Sequence, residues 1–246
     1  MAEEDRPQYT LYNLQTSRSI RIAWLIEELG VTYDIVHADR QPNGLSSNDF
    51  KEEIGTFLGK APVLKDHELE IMIQESGAIT EYLLEREDHN GRLMPKLEIL
   101  NRHEDRSQIR EFIHAAEGSI MVHALPYIYA RRISREAAEM LKPGLQAIVA
   151  KDLDWVEHHF IRKVEEARRS EDLGWLIGWE VTAADTMMGF SVQFVLVNEL
   201  AGKDEDVKGK WPKVRRWLKM IEGREAYHRA VKKTGFVLQP QEDGHA

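Results

Sequence analysis

The stretch that decides the fold runs from Gln8 to His37. It reads Gln8-Tyr9-Thr10-Leu11-Tyr12-Asn13, then Ser17-Arg18-Ser19-Ile20-Arg21-Ile22-Ala23-Trp24-Leu25-Ile26-Glu27-Glu28-Leu29-Gly30, then Thr32-Tyr33-Asp34-Ile35-Val36-His37. The first piece alternates and is bounded by polar residues, a strand signal. In the second, Ile22, Leu25, Ile26 and Leu29 recur at i, i+3, i+4 and i+7, so one apolar stripe marks a helix that Ser17 opens. Gly30 follows the stripe, where a left-handed C-cap is expected. The third piece, with Tyr33 and Ile35 on one face and Val36 on the other, is a second strand. Strand, helix and strand with short connections predict a parallel pair with a right-handed crossover.

Outward from that unit, residues 39–48 carry Asp, Pro, Asn, Gly and Ser, which is loop chemistry. A short amphipathic segment spans Asp49–Gly55. Pro62–Lys65 and Leu69–Ile73 are apolar runs split by Asp66-His67-Glu68 and read as a hairpin. Glu75–Glu87 has Ala78, Ile79, Tyr82 and Leu83 at helical spacing. The order is β-α-β-α-β-β-α, that of a thioredoxin-like domain. Composition shifts at Asp88-His89-Asn90-Gly91-Arg92, and strand signals then almost vanish. The expected division is a domain at 1–88, a linker at about 88–97 and an all-α domain at 98–246. Long helical stretches are expected at 101–129 and 134–170, with Pro126 and Pro143 ending or kinking them. Thr182-Ala183-Ala184-Asp185 is a capping-box variant ahead of a further helix.

Bulk properties narrow the function. The 246 residues suit two domains, on a prior of roughly 150 residues each. A net charge of −9 argues against nucleic acid as a partner. No apolar run approaches the roughly 20 residues of a membrane helix, and Met1-Ala2-Glu3-Glu4-Asp5-Arg6 lacks the basic and apolar regions of a secretory signal, so a cytoplasmic location is expected. The cysteine count is zero, which removes thiolate metal sites, cysteine nucleophiles and disulfide exchange by this chain. His158 and His159 are adjacent rather than i, i+4, so no metal site is expected there.

Three short segments carry chemistry. Ser17 follows the first strand of a βαβ unit, where loops face the ligand crevice of an open α/β sheet. Its hydroxyl either caps the helix or donates to a thiolate held above the helix N-terminus. A hydrogen bond to a charged group is worth about 1.5–3 kcal/mol. At about 1.36 kcal/mol per unit, that lowers a thiol by roughly one to two units from its free value of about 8.5. Gly59-Lys60-Ala61-Pro62 precedes a short strand. A cis bond at Pro62 would turn the Ala61 backbone toward an extended peptide ligand, although trans is the ordinary state of such a bond. Lys60 is either a solvated lysine or a point charge for a carboxylate. Glu75-Ser76 opens the third helix, where Ser76 suits a carboxylate and Glu75 an ammonium group. Together they match the α-amino-acid end of a ligand.

These segments, with Trp24-Leu25-Ile26-Glu27-Glu28-Leu29-Gly30, Glu117-Gly118-Ser119 and Thr182-Ala183-Ala184-Asp185, resemble those of glutathione transferases over about 9–236, especially serine-type fungal and bacterial members. The resemblance implies the glutathione transferase fold, an α/β thioredoxin-like domain plus an all-α domain. It implies that Ser17 stabilises the thiolate of glutathione (the co-substrate, with no metal). It further implies that Ala61, before a cis Pro62, pairs with the cysteinyl backbone, and that Glu75 and Ser76 hold the γ-glutamyl end. Tyr12 is the runner-up thiolate donor, otherwise packed or exposed at a strand edge. The segment at 56–62 lacks the proline and valine of the usual family pattern. His114, Glu117, His123 and Tyr127 lie on the helix expected to wall the acceptor substrate, unless they are ordinary helix residues. The implied function is conjugation of glutathione to a small electrophile, or glutathione-dependent peroxide reduction, as in detoxification, by a homodimer. Two rivals are a non-catalytic regulatory binding module and a dedicated enzyme of secondary metabolism on the same fold.

Overall fold

β1 (Tyr9–Leu14) is the strand around which the first half is assembled in the computed structural model, which describes residues 7–166 and 174–238. β1 pairs in parallel with β2 (Tyr33–Ala38) and antiparallel with β3 (Val63–Asp66), and β3 pairs antiparallel with β4 (Ile71–Gln74), in the order β2-β1-β3-β4. The crossover between β1 and β2 is α1 (Ser19–Leu29), closed by Gly30 at φ 73°. That positive φ is the left-handed cap the sequence predicts, and its N–H returns to the Ile26 carbonyl. α2 (Asn48–Ile54) is capped by Ser47, which accepts from the Phe50 N–H. α3 (Ser76–Glu87) follows β4.

The β3–β4 turn has a local cause. The Asp66 carboxylate, fully buried, accepts from the N–H groups of Glu68 and Leu69 at 2.8 and 3.1 Å and from the Tyr82 hydroxyl at 2.5 Å. An Asp that bonds the backbone two and three residues on makes its own turn. Burial alone pushes its carboxyl up, but these donors and Arg86 hold it below the ordinary value.

Cα packing groups residues 7–92 and 224–237 into one unit and residues 93–166 and 174–223 into another. The sequence expectation leaves 225–234 in the helical part. Instead α10 (Glu225–Thr234) packs on α1, for a reason visible in α1 itself. Glu27 and Glu28 are adjacent acids on a face that would read as solvated, yet their side chains are 9% and 3% exposed. Arg224 forks onto Glu28, with Nη2 at 2.7 Å from Oε2, and Trp24 donates its indole N–H to the same carboxylate at 2.9 Å. Arg229 and Lys233 reach Glu27 at 2.7 and 3.0 Å. Trp24 meets Tyr227 edge-on at 5.3 Å. Buried carboxylates require this pairing; Arg224 at the N-cap of α10 and Arg229 and Lys233 within it supply these cations, and Arg92 also lies 3.5 Å from Glu28.

The second unit is helical among its described residues. α4 (His103–Ala115) runs through a π segment (Ala116–Met121) into α5 (Val122–Ile133), followed by α6 (Arg135–Glu166). Pro126 and Pro143 lie inside α5 and α6 and do not end them. The packing of α5 on α6, which buries Ala124, Tyr127 and Ile128, outweighs the lost backbone hydrogen bonds. α7 (Ala183–Val197) begins at the expected capping box, and α8 (Asp204–Val207) and α9 (Pro212–Glu222) complete the unit. Asp185 is more than a cap. Its fully buried carboxylate accepts from the N–H groups of Leu176 and Thr182, the Thr182 hydroxyl and the Trp217 indole, at 2.8–3.0 Å. It thereby joins the 174–182 loop and α9 to α7.

Two stability outcomes follow from these buried acids. Asp185→Ala strands several buried donors at once and is expected to cost more than about 3 kcal/mol in urea denaturation. At Glu27, burial pushes the carboxyl up but Arg229 and Lys233 outweigh it, so the folded value lies below the ordinary one. Such an acid contributes stability that is complete above the unfolded value of about 4.3 and lost as pH falls through the folded value. Glu27→Gln should therefore be less stable than the parent at pH 7, and the two stability curves should converge in acid. Parallel curves across that range would contradict this account.

Candidate functional site

One row of cross-strand partners organises the site: Val36 opposite Tyr12, Tyr12 opposite Val63, Val63 opposite Gln74. β3 is antiparallel to both neighbours. Its first residue therefore lies at the same end of the sheet as the last residues of β1 and β4. The β1–α1 loop with Ser17, the segment Lys60-Ala61-Pro62 and the helix start Glu75-Ser76 all leave the sheet beside this row. The sequence-predicted thiol and peptide contacts in the first unit are thus brought to one end of it, the side where α/β sheets take ligands.

Ser17 is 6% exposed and does not itself open α1, which starts two residues later with Arg18 as N-cap. Its Oγ accepts the Ser19 N–H at 3.2 Å and donates to the Ser19 hydroxyl at 2.9 Å. This side-chain turn replaces the expected cap because Thr16, at φ 49°, redirects the chain before the helix. One lone pair of Oγ is occupied by an N–H, so the hydroxyl hydrogen is what Ser17 has to offer. Turning it from Ser19 to a thiolate exchanges a neutral bond of about 1 kcal/mol for a charged one of about 1.5–3 kcal/mol. The net effect on a thiol is then about one unit, at the lower end of the sequence-based range.

Tyr12 lies on the interior strand β1, not at a sheet edge, and packs against Leu14, Phe50, Ile54 and Val63. The residue is partly buried against this cluster, to which α2 contributes Phe50 and Ile54. Ala61 is packed against the same cluster, just beyond the end of the β1–β3 ladder, and the Ala61–Pro62 peptide is cis. Lys60 is exposed, and no described residue pairs with it. Glu75, exposed and at φ 69°, stands at the N-cap of α3 without bonding the helix through its side chain.

Ser76 holds a feature that sequence reasoning missed. Its side chain is buried, and the Arg21 guanidinium, 1% exposed, donates to its Oγ at 3.0 Å. Arg21 is a buried polar residue of α1 that reaches the start of α3. The i, i+4 step from Ser17 to Arg21 was available as a signal, but nothing in the sequence identified which helix the arginine would meet. Because arginine only donates, Ser76 Oγ must accept from it, and the hydroxyl hydrogen is left for an acceptor beyond. A buried cation and the amides at the start of α3 both favour an anion at that position.

In the second unit, His114 is exposed near the end of α4, and Glu117 is half-buried in the π segment. His123, on α5, does not stand free on the helix face. Its Nδ1 lies 2.8 Å from Asp152 of α6, beside a small depression rimmed by Tyr127, Lys142, Gln146 and Glu199. Tyr127 is buried and donates to Glu139 at 2.8 Å. α6 therefore engages two of the four residues proposed for an acceptor wall.

Comparison with known proteins gives one consistent result. Residues 7–85 match the family model described as glutathione S-transferase, N-terminal domain. Glutathione S-transferase 1 of Saccharomyces cerevisiae is 25% identical over 90% of this chain and 93% of its own. A glutathione S-transferase from Actinobacillus pleuropneumoniae superposes with a TM-score of 0.71 at 27% identity, covering 93% of both chains. A glutathione transferase from Phanerochaete chrysosporium, solved with oxidized glutathione, has the same fold, with a TM-score of 0.73 at 18% identity over 95% of this chain and 97% of that one.

The Arg21–Ser76 contact yields a direct check. Ser76→Ala leaves a buried guanidinium N–H without its acceptor, and is expected to lower stability by about 1–3 kcal/mol in urea denaturation. A neutral result would mean that the contact is not formed.

Proposed function

We propose that the chain binds glutathione at the end of its sheet and activates the thiol for attack on a small electrophile, a reading supported by the match of residues 7–85 to the glutathione S-transferase N-terminal domain model. The observation that carries this reading is the Tyr12–Val63–Gln74 row, beside which the three contact segments leave the sheet. The γ-glutamyl carboxylate is held by Ser76 and the α3 amides, and its ammonium group by Glu75. The cysteinyl backbone pairs with Ala61 ahead of Pro62, and Lys60 serves the glycyl carboxylate as a point charge. Ser17 donates its hydroxyl hydrogen to sulfur.

The chemical step needs no cysteine from the protein, and this sequence has none. The glutathione thiol loses its proton to solvent, and the Ser17 hydrogen bond keeps the thiolate populated near neutral pH. The sulfur lone pair then forms a bond to an electrophilic carbon, whose leaving group or π electrons take the displaced charge. Ser17 stays neutral throughout and transfers no proton.

Two measurements test the reading. Glutathione at about 100 times its Kd should add roughly 2.7 kcal/mol of stability, seen as a rise in Tm. Ser17→Ala should raise the pKa of the bound thiol by about one unit, followed by thiolate absorbance. Loss of the Tm rise in the parent protein would remove the binding site. An unmoved titration with retained binding would remove Ser17 from its role.

A further inference from the structure

The loop that carries Ser17 is held from both sides. One hold comes from the β2 side, where Arg40 donates Nε to the Gln15 carbonyl at 2.9 Å and Nη2 to the Thr16 carbonyl at 3.4 Å. The Arg40 N–H also reaches the Gln15 side-chain oxygen at 3.1 Å. The other hold comes from the far end of the chain. The Thr16 hydroxyl donates to the Val237 carbonyl at 3.0 Å, and the buried Asn13 amide donates to the Thr234 carbonyl at 3.0 Å. These contacts span 221 residues of sequence and lie within one structural unit.

The acceptor carbonyls are themselves fixed. α10 ends in a left-handed Gly235 at φ 62°, the Phe236 N–H returns to the Val231 carbonyl at 3.3 Å, and the Phe236 ring is buried. The Asn13 amide also meets His37 Nδ1 at 2.7 Å, which sets its direction. The residue this turn grips is a conformational outlier. Thr16 is β-branched and sits at φ 49°, a region such residues rarely enter. A conformation of that kind persists only where the surroundings over-determine it. Ser17 is the next residue, so the direction of its Cα–Cβ bond follows from the Thr16 torsion.

We infer that the C-terminal turn 234–237 is a working part of the thiol site, and that Thr16 is a positioning residue, its hydroxyl bond to Val237 aiming Ser17 at the sulfur. The inference rests on Ser17 being the thiolate donor. It predicts an effect transmitted only through Ser17, which separates positioning from plain stability.

The test is a cycle on the full chain: the parent, Thr16→Val, Ser17→Ala and the double variant, with Thr16→Ser as the conservative control. The readouts are the pKa of the bound glutathione thiol, by thiolate absorbance, and the glutathione Kd. Thr16→Val removes the hydroxyl at nearly constant shape and should raise the thiol pKa by about half a unit, a roughly threefold loss of thiolate below the pKa. The Kd should change by less than about twofold. Thr16→Ser should behave as the parent does. In the Ser17→Ala background, Thr16→Val should add nothing. A Thr16→Val protein that loses Tm but keeps the parent pKa would reduce Thr16 to a structural contact and overturn the inference. Equal shifts with and without Ser17 would overturn it as well, because Thr16 would then act on the sulfur by another route. If Ser17→Ala alone leaves the pKa unmoved while glutathione still binds, the donor assignment fails and the inference with it. A shift in Ser17→Ala but not in Thr16→Val sinks the inference alone.

Discussion

The pairing of Tyr12 with Val63, and of Val63 with Gln74, is the constraint on which the rest of the first unit depends. It turns three loops that are distant in sequence into neighbours, because one antiparallel strand reverses the direction in which its ends are met. The register is held by burial. Tyr12, Leu14 and Val63 share a face with Phe50 and Ile54. A slip of one residue would turn that face away from α2 and expose it. The same packing engages the partly buried Tyr12 ring.

Helix α1 is the second organising element, and electrostatics decides how it sits. Eight of its residues are buried, more than one apolar stripe accounts for. On one side Arg21 meets Ser76 at the start of α3. On another, Glu27 and Glu28 meet the cations of α10. Each charge is desolvated, and each is answered by a specific partner, so the helix has little freedom to rotate about its axis. A platform fixed in this way is what a short loop needs if a single hydroxyl on it is to be aimed. The helical unit uses the same principle at Asp185, where one buried carboxylate links the 174–182 loop, α7 and α9.

Much of this was legible in the residues themselves. The strand alternation at 8–13, the helical stripe from Ile22 to Leu29, the Gly30 cap, the Asp66 turn region and the Thr182–Asp185 box are local features. Each is a short-range preference of backbone and side chain, and each folded as read, give or take a residue or two. The Ser17 and Glu75–Ser76 segments stand at strand–helix junctions, as the sequence order implies. The misreadings were different in kind. Of the two outcomes expected at Pro126 and Pro143, an end to the helix does not occur, because the packing of α5 on α6 outweighs the lost hydrogen bonds. The sequence places His123 on the helix expected to wall an acceptor but does not show that α6 brings Asp152 to it.

The sequence by itself determined the element order, the thioredoxin-like character of the first half, the absence of any thiol in the chain, and the residue types available at the sheet end. Those are matters of local propensity and composition. Only the tertiary structure decided that Arg21 lies beneath Ser76, that α10 returns to cover the acidic face of α1, and that Thr16 is held by a carbonyl 221 residues away. A buried polar group must find its partner wherever the chain brings one, and loop-closing distances of that length leave no trace in the neighbouring residues.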